Sequence, residues 1–190
     1  MISKKSKCYP VISPALPGFF IFQYLYFSKK KEAIIMSQPT IQQVVQFMLS
    51  KASMSNFKLN QLCFYADAWN FVINHAHFTN SNFQAWINGA IDHEIHNQYE
   101  NYLNYQFNDQ EAQYLIPRQI HDIPVFNQDI TDVLDQVYTE YGHYTDMELE
   151  SLIHQSTPWQ NARQGLKPLD RSTNTFNDQD LLTWFIPMED

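Results

Sequence analysis

The run NFKLNQLCFYADAWNFVIN, residues 56–74, limits this chain more than any other feature. Leu59, Leu62, Cys63, Ala66, Trp69 and Ile73 recur at the spacing of one helix face, and Phe64, Tyr65, Ala68 and Phe71 occupy the others. A helix that is apolar on every side has no stable place at a surface, so it must be surrounded. The rest of the chain therefore has to supply enough elements to cover it, with Lys58 and Asp67 as its expected polar exits.

Those elements are legible from their ends. Thr40 and Gln43 form a capping box ahead of Ile41, Val44, Val45, Met48 and Leu49, a helix that ends near Ser50. Ser55 or Asn56 caps the central helix, and HAHFTNSN is a polar connection. In FQAWINGAI, Phe83, Ala85 and Ile87 alternate with Gln84, Trp86 and Asn88 until Gly89 breaks the run, which reads as a short strand or extended segment. Asp92 starts a helix on which Ile91, Ile95, Tyr99 and Tyr102 keep helical spacing.

Residues 107–128 lose that rhythm around Pro117 and Pro124. It returns at Asp129, the expected cap of a helix with Ile130, Val133, Leu134, Val137, Tyr138 and Tyr141 on one stripe, closed by Gly142 at C′. A second capping box, Thr145 with Glu148, opens a short helix carrying Leu149, Leu152 and Ile153, which STPW stops. HQSTPW reads as a folded-back corner whose tryptophan plugs the core. Asn177 caps a last helix through Leu181, Leu182 and Phe185, ended by Pro187. With 190 residues, 44% of them hydrophobic, and only four glycines, the expectation is a mainly α fold. It is a single compact helical domain with a central buried helix and a short extended or β segment.

Residues 1–35 stand apart. CYPVISPALPGFFIFQYLYF lies between two lysine clusters, but three prolines and a glycine in its first half leave the apolar run far short of the roughly 20 residues a bilayer span needs. No small-residue cleavage site follows it, so a secretory signal also fits poorly. Lys31-Glu32 can be encoded as AAG GAG, a ribosome-binding sequence, three codons before Met36. The expectation is that residues 1–35 form an N-terminal extension of untranslated upstream sequence and that residues 36–190 are the domain.

From Met36 onward the chain holds six basic and nineteen acidic residues, a formal charge of −13. Such a body repels phosphate backbones, which disfavours direct nucleic-acid binding and favours a basic protein partner. Cys8 and Cys63 cannot build a disulfide framework, and the latter lies on an apolar helix as an inert thiol, which points to the reducing cytoplasm.

Catalytic patterns are scarce. The DHEIH run puts His93 and His96 three apart, not the four of a zinc-protease helix, and leaves two readings open. One is a metal-dependent hydrolase with a third ligand from His121, His143 or His154, and the other is a solvated helix face. No serine lies in a nucleophile elbow, and glycines at 18, 89, 142 and 165 cannot make a phosphate-cradling loop. No catalytic, cofactor-binding or metal residue is assigned. Tyr99, Tyr102 and Tyr105 cluster with Tyr114, either as a partner surface or as core and core-rim aromatics.

VVQFMLSKASMSNFKLNQLCFYADAW, FQAWINGAIDHEIHNQYENY and DVLDQVYTEYGHYTDMELESLIHQSTPW together resemble the SocA-like antitoxin, or Panacea, domain over roughly residues 41–163. Ser55, Asn56, Lys58, Leu59, Leu62, Tyr65 and Ala66 match the family's second element; Ala85, Trp86 and Gly89 match the third; Tyr141 and Gly142 the fourth; His154, Pro158 and Trp159 the fifth. Ala90 stands where the family has proline and Asp67 where it has glutamine, and the lost proline should loosen the turn after Gly89. The resemblance implies the antitoxin of a bacterial or phage toxin–antitoxin pair, which neutralises a cognate protein toxin by direct binding or by delivering it to a cytoplasmic ATP-dependent protease. It implies no enzyme activity and no cofactor. The alternative is a proteolytic adaptor or phage-encoded regulatory interaction protein with a different client.

Overall fold

The computed structural model describes residues 38–102 and 115–185. The expectations for residues 1–35, Tyr105, Tyr114 and Pro187 lie outside the described residues. Within them the chain forms α1 (Ile41–Lys51), α2 (Asn56–Asn74), β1 (Phe83–Ala85), β2 (Ala90–Asp92), α3 (His93–Gln98), a 3-10 turn (Glu100–Tyr102), α4 (Gln128–Tyr141), α5 (Asp146–Gln155), α6 (Thr157–Ala162) and α7 (Asp178–Phe185). The fold is mainly α, with one two-stranded sheet among the described residues.

Helix α2 is the axis. Fifteen of its nineteen residues are buried, and α1, β2, α3, α4, α5 and α7 all pack on it. Leu59, Leu62, Cys63 and Ala66 are fully enclosed, as are Val44, Met48, Val133, Leu134 and Val137 on the flanking helices. Tyr65 stacks on Tyr141 with ring centroids 4.0 Å apart and planes 6° apart. The indole of Trp69 donates to the Tyr141 hydroxyl at 3.3 Å, and Phe185 closes the end of this aromatic column against Trp69.

Both capping boxes form: the Gln43 and Glu148 side chains bond back to the backbone of Thr40 and Thr145, and each threonine accepts from the N–H three residues on. Ser55 caps α2 at Lys58, and His75 ends it in the left-handed region.

Several local expectations change. Asn127, not Asp129, caps α4, with its side chain accepting from Ile130; Asp129 sits in the first turn. Gly142 is right-handed, so it does not serve as a left-handed terminator. Glycine is needed there because a Cβ would collide with the Tyr138 carbonyl and crowd its ring. The helix after Asp92 stops at Gln98; Ile91 belongs to β2 and Tyr102 to the 3-10 turn, so the helical spacing of those four residues spans three elements. Ser156 ends α5 and at once caps α6, with Pro158 in the first turn, so STPW starts a helix as well as stopping one.

The sequence also concealed the hairpin's second strand. Phe83, Gln84 and Ala85 pair antiparallel with Asp92, Ile91 and Ala90, and a Trp86–Gly89 turn closes the pair through reciprocal bonds of 2.8 and 3.3 Å. Two strands of three residues are not stable alone. The Asn174 carbonyl accepts from Ala85 on the open edge of β1, and β2 rests on α2.

Candidate functional site

A row of buried polar side chains runs along α2: Asn56, Asn60, Gln61, Asp67 and Asn70 are each 5% exposed or less. Buried amides and carboxylates destabilise a fold unless they are bonded, so what they hold defines their role. Asn60 donates to Asn56 Oδ1 at 2.8 Å and accepts from the Asp92 N–H at 2.9 Å. Asn56 donates to the His96 carbonyl. Asp92 caps α3 through Glu94 and Ile95 and accepts from the Asn82 N–H at 2.8 Å. Asn70 donates to the Ala76 carbonyl and to Gln38 Oε1.

Gln61 grips the hairpin at two points, donating to the Ala90 carbonyl at 2.9 Å and accepting from the Ala90 N–H at 3.4 Å. A proline at 90 would have no N–H to give. Alanine at this position therefore gives a bond to α2 that proline could not make, set against the ring rigidity it lacks. A Cβ on Gly89 would lie 2.7 Å from Gln61 Nε2, so a larger residue there would require the Gln61 amide to move from its place against Ala90.

The remaining motif residues join the same body. Lys58 Nζ donates to the Tyr144 carbonyl at 2.7 Å, and Ser55 donates to Asp146 at 2.6 Å, which locks the start of α2 to the α4–α5 connection. Burial holds the Lys58 ammonium below the usual lysine range, against the pull of Asp146 and Glu148. His154 Nε2–H donates to the Ile87 carbonyl at 2.9 Å, and Trp159 donates to the Trp86 carbonyl at 3.0 Å. These two rings lie 4.2 Å apart and clamp the hairpin turn from outside. Trp159 thus holds the turn and packs against the core while staying partly exposed, rather than plugging it. Leu59 and Leu62 are pure core, and Pro158 is buried at the start of α6.

Asp67 is not an exit to solvent. It is 5% exposed, accepts from the Phe78 N–H at 2.7 Å, and faces His77 Nδ1 at 2.7 Å. The second ring nitrogen of His77 faces Asp178 of α7 at 3.3 Å, and the ring stacks on Phe71 at 4.4 Å. A neutral imidazole has one N–H to give, so two carboxylates favour the doubly protonated ring. The hydrogen bond to Asp67 raises the His77 pKa against the opposing effect of burial, and Asp178 adds to it. This bridge borders a cleft of about 210 Å³ lined by Phe64, Phe83 and Phe176. That volume falls below the roughly 300 Å³ at which small-molecule pockets begin.

Sequence reasoning missed Arg163. It is 7% exposed and donates to the carbonyls of Ala85, Pro168 and Asp170, joining the hairpin to the loop before α7. An arginine just beyond a short helix carries no periodic signal, and only the long-range pairing makes its role visible.

His93 and His96 flank the Trp86 ring at 6.3 and 5.0 Å, and His154 is bonded to a carbonyl. Among the described residues no three His, Cys, Asp or Glu side chains gather as a metal-ligand set. Cys63 is fully buried, and burial together with Asp92 and Asp67 pushes its thiol well above the ordinary range, away from the reactive thiolate. Tyr99 is 8% exposed and belongs to the core, not to a surface; Tyr102 packs on the core while partly exposed. Among the described residues no helix is long and apolar enough to cross a membrane.

The family model described as "Antitoxin SocA-like, Panacea domain" matches residues 59–160, from the second turn of α2 to α6. No curated protein and no solved structure matches the chain.

Proposed function

The chain belongs to the antitoxin SocA-like, Panacea-domain family, and from that premise we propose that it neutralises a protein toxin by binding it, without transforming a substrate. The observation that carries this reading is the use made of three motif side chains, Lys58, His154 and Trp159, together with Gln61 and Arg163. Lys58, Gln61, His154, Trp159 and Arg163 each bond a backbone carbonyl of another element, an arrangement that builds a rigid body and leaves none of them poised for proton transfer or nucleophilic attack. A rigid body of this kind acts through its surface.

The formal charge of −13 from Met36 onward favours a basic toxin and repels nucleic acid and anionic lipid. The site of action is the cytoplasm, where a toxin must be met as it is made. Neutralisation by occlusion is sufficient, and delivery of the bound toxin to an ATP-dependent protease is a further step that the same complex supports. Co-expression of the adjoining gene with and without this one, scored for growth, tests the reading. Arrest by the adjoining product alone and rescue by this protein are expected; a harmless product, or arrest that this protein does not relieve, overturns it.

A further inference from the structure

Residues 115–127 cross the end of α1 as an irregular strap held at both ends. Ile116 is fully buried and exchanges backbone bonds of 2.8 and 3.2 Å with Met54, and Phe126 packs edge-on against Phe47 at 5.9 Å. Between these anchors the Gln119 N–H donates to the Leu49 carbonyl at 3.0 Å, and Arg118 Nε donates to the Ser50 carbonyl at 2.7 Å. Carbonyls in the last turn of a helix have no intrahelical partner, so the strap completes α1 and its route is fixed.

On this pinned route the aliphatic side chains face solvent. Ile120 is 59% exposed, Ile123 45% and Val125 97%. Pro117 and Pro124 keep the strap out of a helix or ladder, and Asp122 turns it with a left-handed φ of 54°. Single exposed aliphatics are ordinary, but three within six residues, on a stretch anchored at Gln119 before it and Phe126 after it, make a patch.

The chain flanking the patch is mostly acidic, with Asp122, Asp129, Asp132 and Asp135 close to it in sequence and its two cations, Lys51 and Arg118, both engaged. Lys51 bonds Asp135 of α4 at 2.6 Å and lies 4.4 Å over the Phe47 ring on which Phe126 rests, so strap and α4 share a wall. Residues 115–135 hold four carboxylates and one arginine, and that Arg118 donates to the Ser50 carbonyl. An apolar centre inside a charged rim is the anatomy of a protein interface. Its charge selects the partner, because phosphate backbones, anionic lipids and a second copy presenting the same acidic rim are all repelled.

We propose that the strap, with Ile120, Ile123 and Val125 at its centre and Asp129 and Asp132 of α4 at its rim, is the docking surface for a basic protein. Resting on the antitoxin reading, that partner is the toxin. The motif residues around the hairpin then build the body, and this surface outside them chooses what is bound.

The test uses the full chain and the purified product of the adjoining gene, with affinity measured at low and high salt. Ile123→Asp with Val125→Asp should keep the circular dichroism spectrum and Tm of the parent yet weaken binding on the order of 30-fold or more. Asp129→Lys with Asp132→Lys should slow association on the order of tenfold and flatten its salt dependence. Leu169→Asp, at a position 82% exposed beyond α6, should bind as the parent does. If the parent binds and neutralises while the strap variants bind equally well, the surface is wrong and the antitoxin reading stands. If the parent does not bind the adjoining product, both fall. Sedimentation that finds a dimer, dispersed by the Val125→Asp change, makes a second copy the occupant and overturns the proposal.

Discussion

The hairpin corner and the strap answer the same difficulty in opposite ways. Each is an irregular segment laid against α-helices, and each has backbone groups that no ladder satisfies. At the corner, the polar side chains of α2, α5 and α6 turn inward and bond the hairpin's backbone, as Gln61, His154 and Trp159 do. At the strap, the α1 carbonyls do part of this work, and beyond the buried Ile116 the side chains of Ile120, Ile123 and Val125 are exposed. The corner is costly to disturb and has little left to offer a partner. The strap is inexpensive to alter in its side chains and offers area to whatever can cover it.

Substitutions should separate the two regions by size of effect. Leu62→Ala, at a fully buried position of α2, should destabilise by about 2–5 kcal/mol through the cavity it leaves, read by urea or thermal unfolding. Unchanged stability with abolished toxin binding would instead make Leu62 part of the recognition surface. Asn60→Leu should cost about 1–3 kcal/mol, because the Asp92 N–H loses its acceptor in a buried setting. Thr145→Ala, which removes the cap of α5, should cost about 1 kcal/mol.

A smaller effect is expected from the Asp67–His77–Asp178 bridge, which ties α7 to α2. His77 has its folded pKa raised above its unfolded value, near 6.5. The bridge's contribution is therefore fully present below the unfolded pKa and is lost as pH rises through the folded one. Thermal unfolding across this window should show the parent more stable than His77→Gln at mildly acidic pH, with the gap closing as pH increases. A gap that widens toward alkaline pH would contradict the assignment. Smallest of all, Val125→Ser on the strap should leave Tm unchanged within error while weakening toxin binding; a measurable loss of Tm would mean that the strap is structural too.

Much of the scaffold was legible because its signals are local. The capping boxes at Thr40 and Thr145 are set by residues three apart, and the burial of α2 is signalled by apolar residues on most of its circumference. The limits of local reading appear where competing groups lie far away in the chain. Asp67 reads as a polar exit until Phe78 and His77 fold back onto it. Strand β2 is hidden inside a helical-looking pattern because, although its partner lies just across a short turn, its support on α2 is distant in the chain. Ala90 looks like a defect until Gln61, 29 residues earlier, supplies the bond that a proline would forbid.

By itself the sequence determined that a helix with apolar residues on most of its faces must be enclosed by others, that the body is acidic, and that its motifs are those of the Panacea domain. These follow from composition and short-range spacing, where each residue acts on its own neighbours. Only the tertiary structure decided which polar groups are consumed inside and which aliphatic ones are left outside. A buried amide and an exposed one are the same residue in a sequence, and the difference is made by backbone brought to it from elsewhere in the chain.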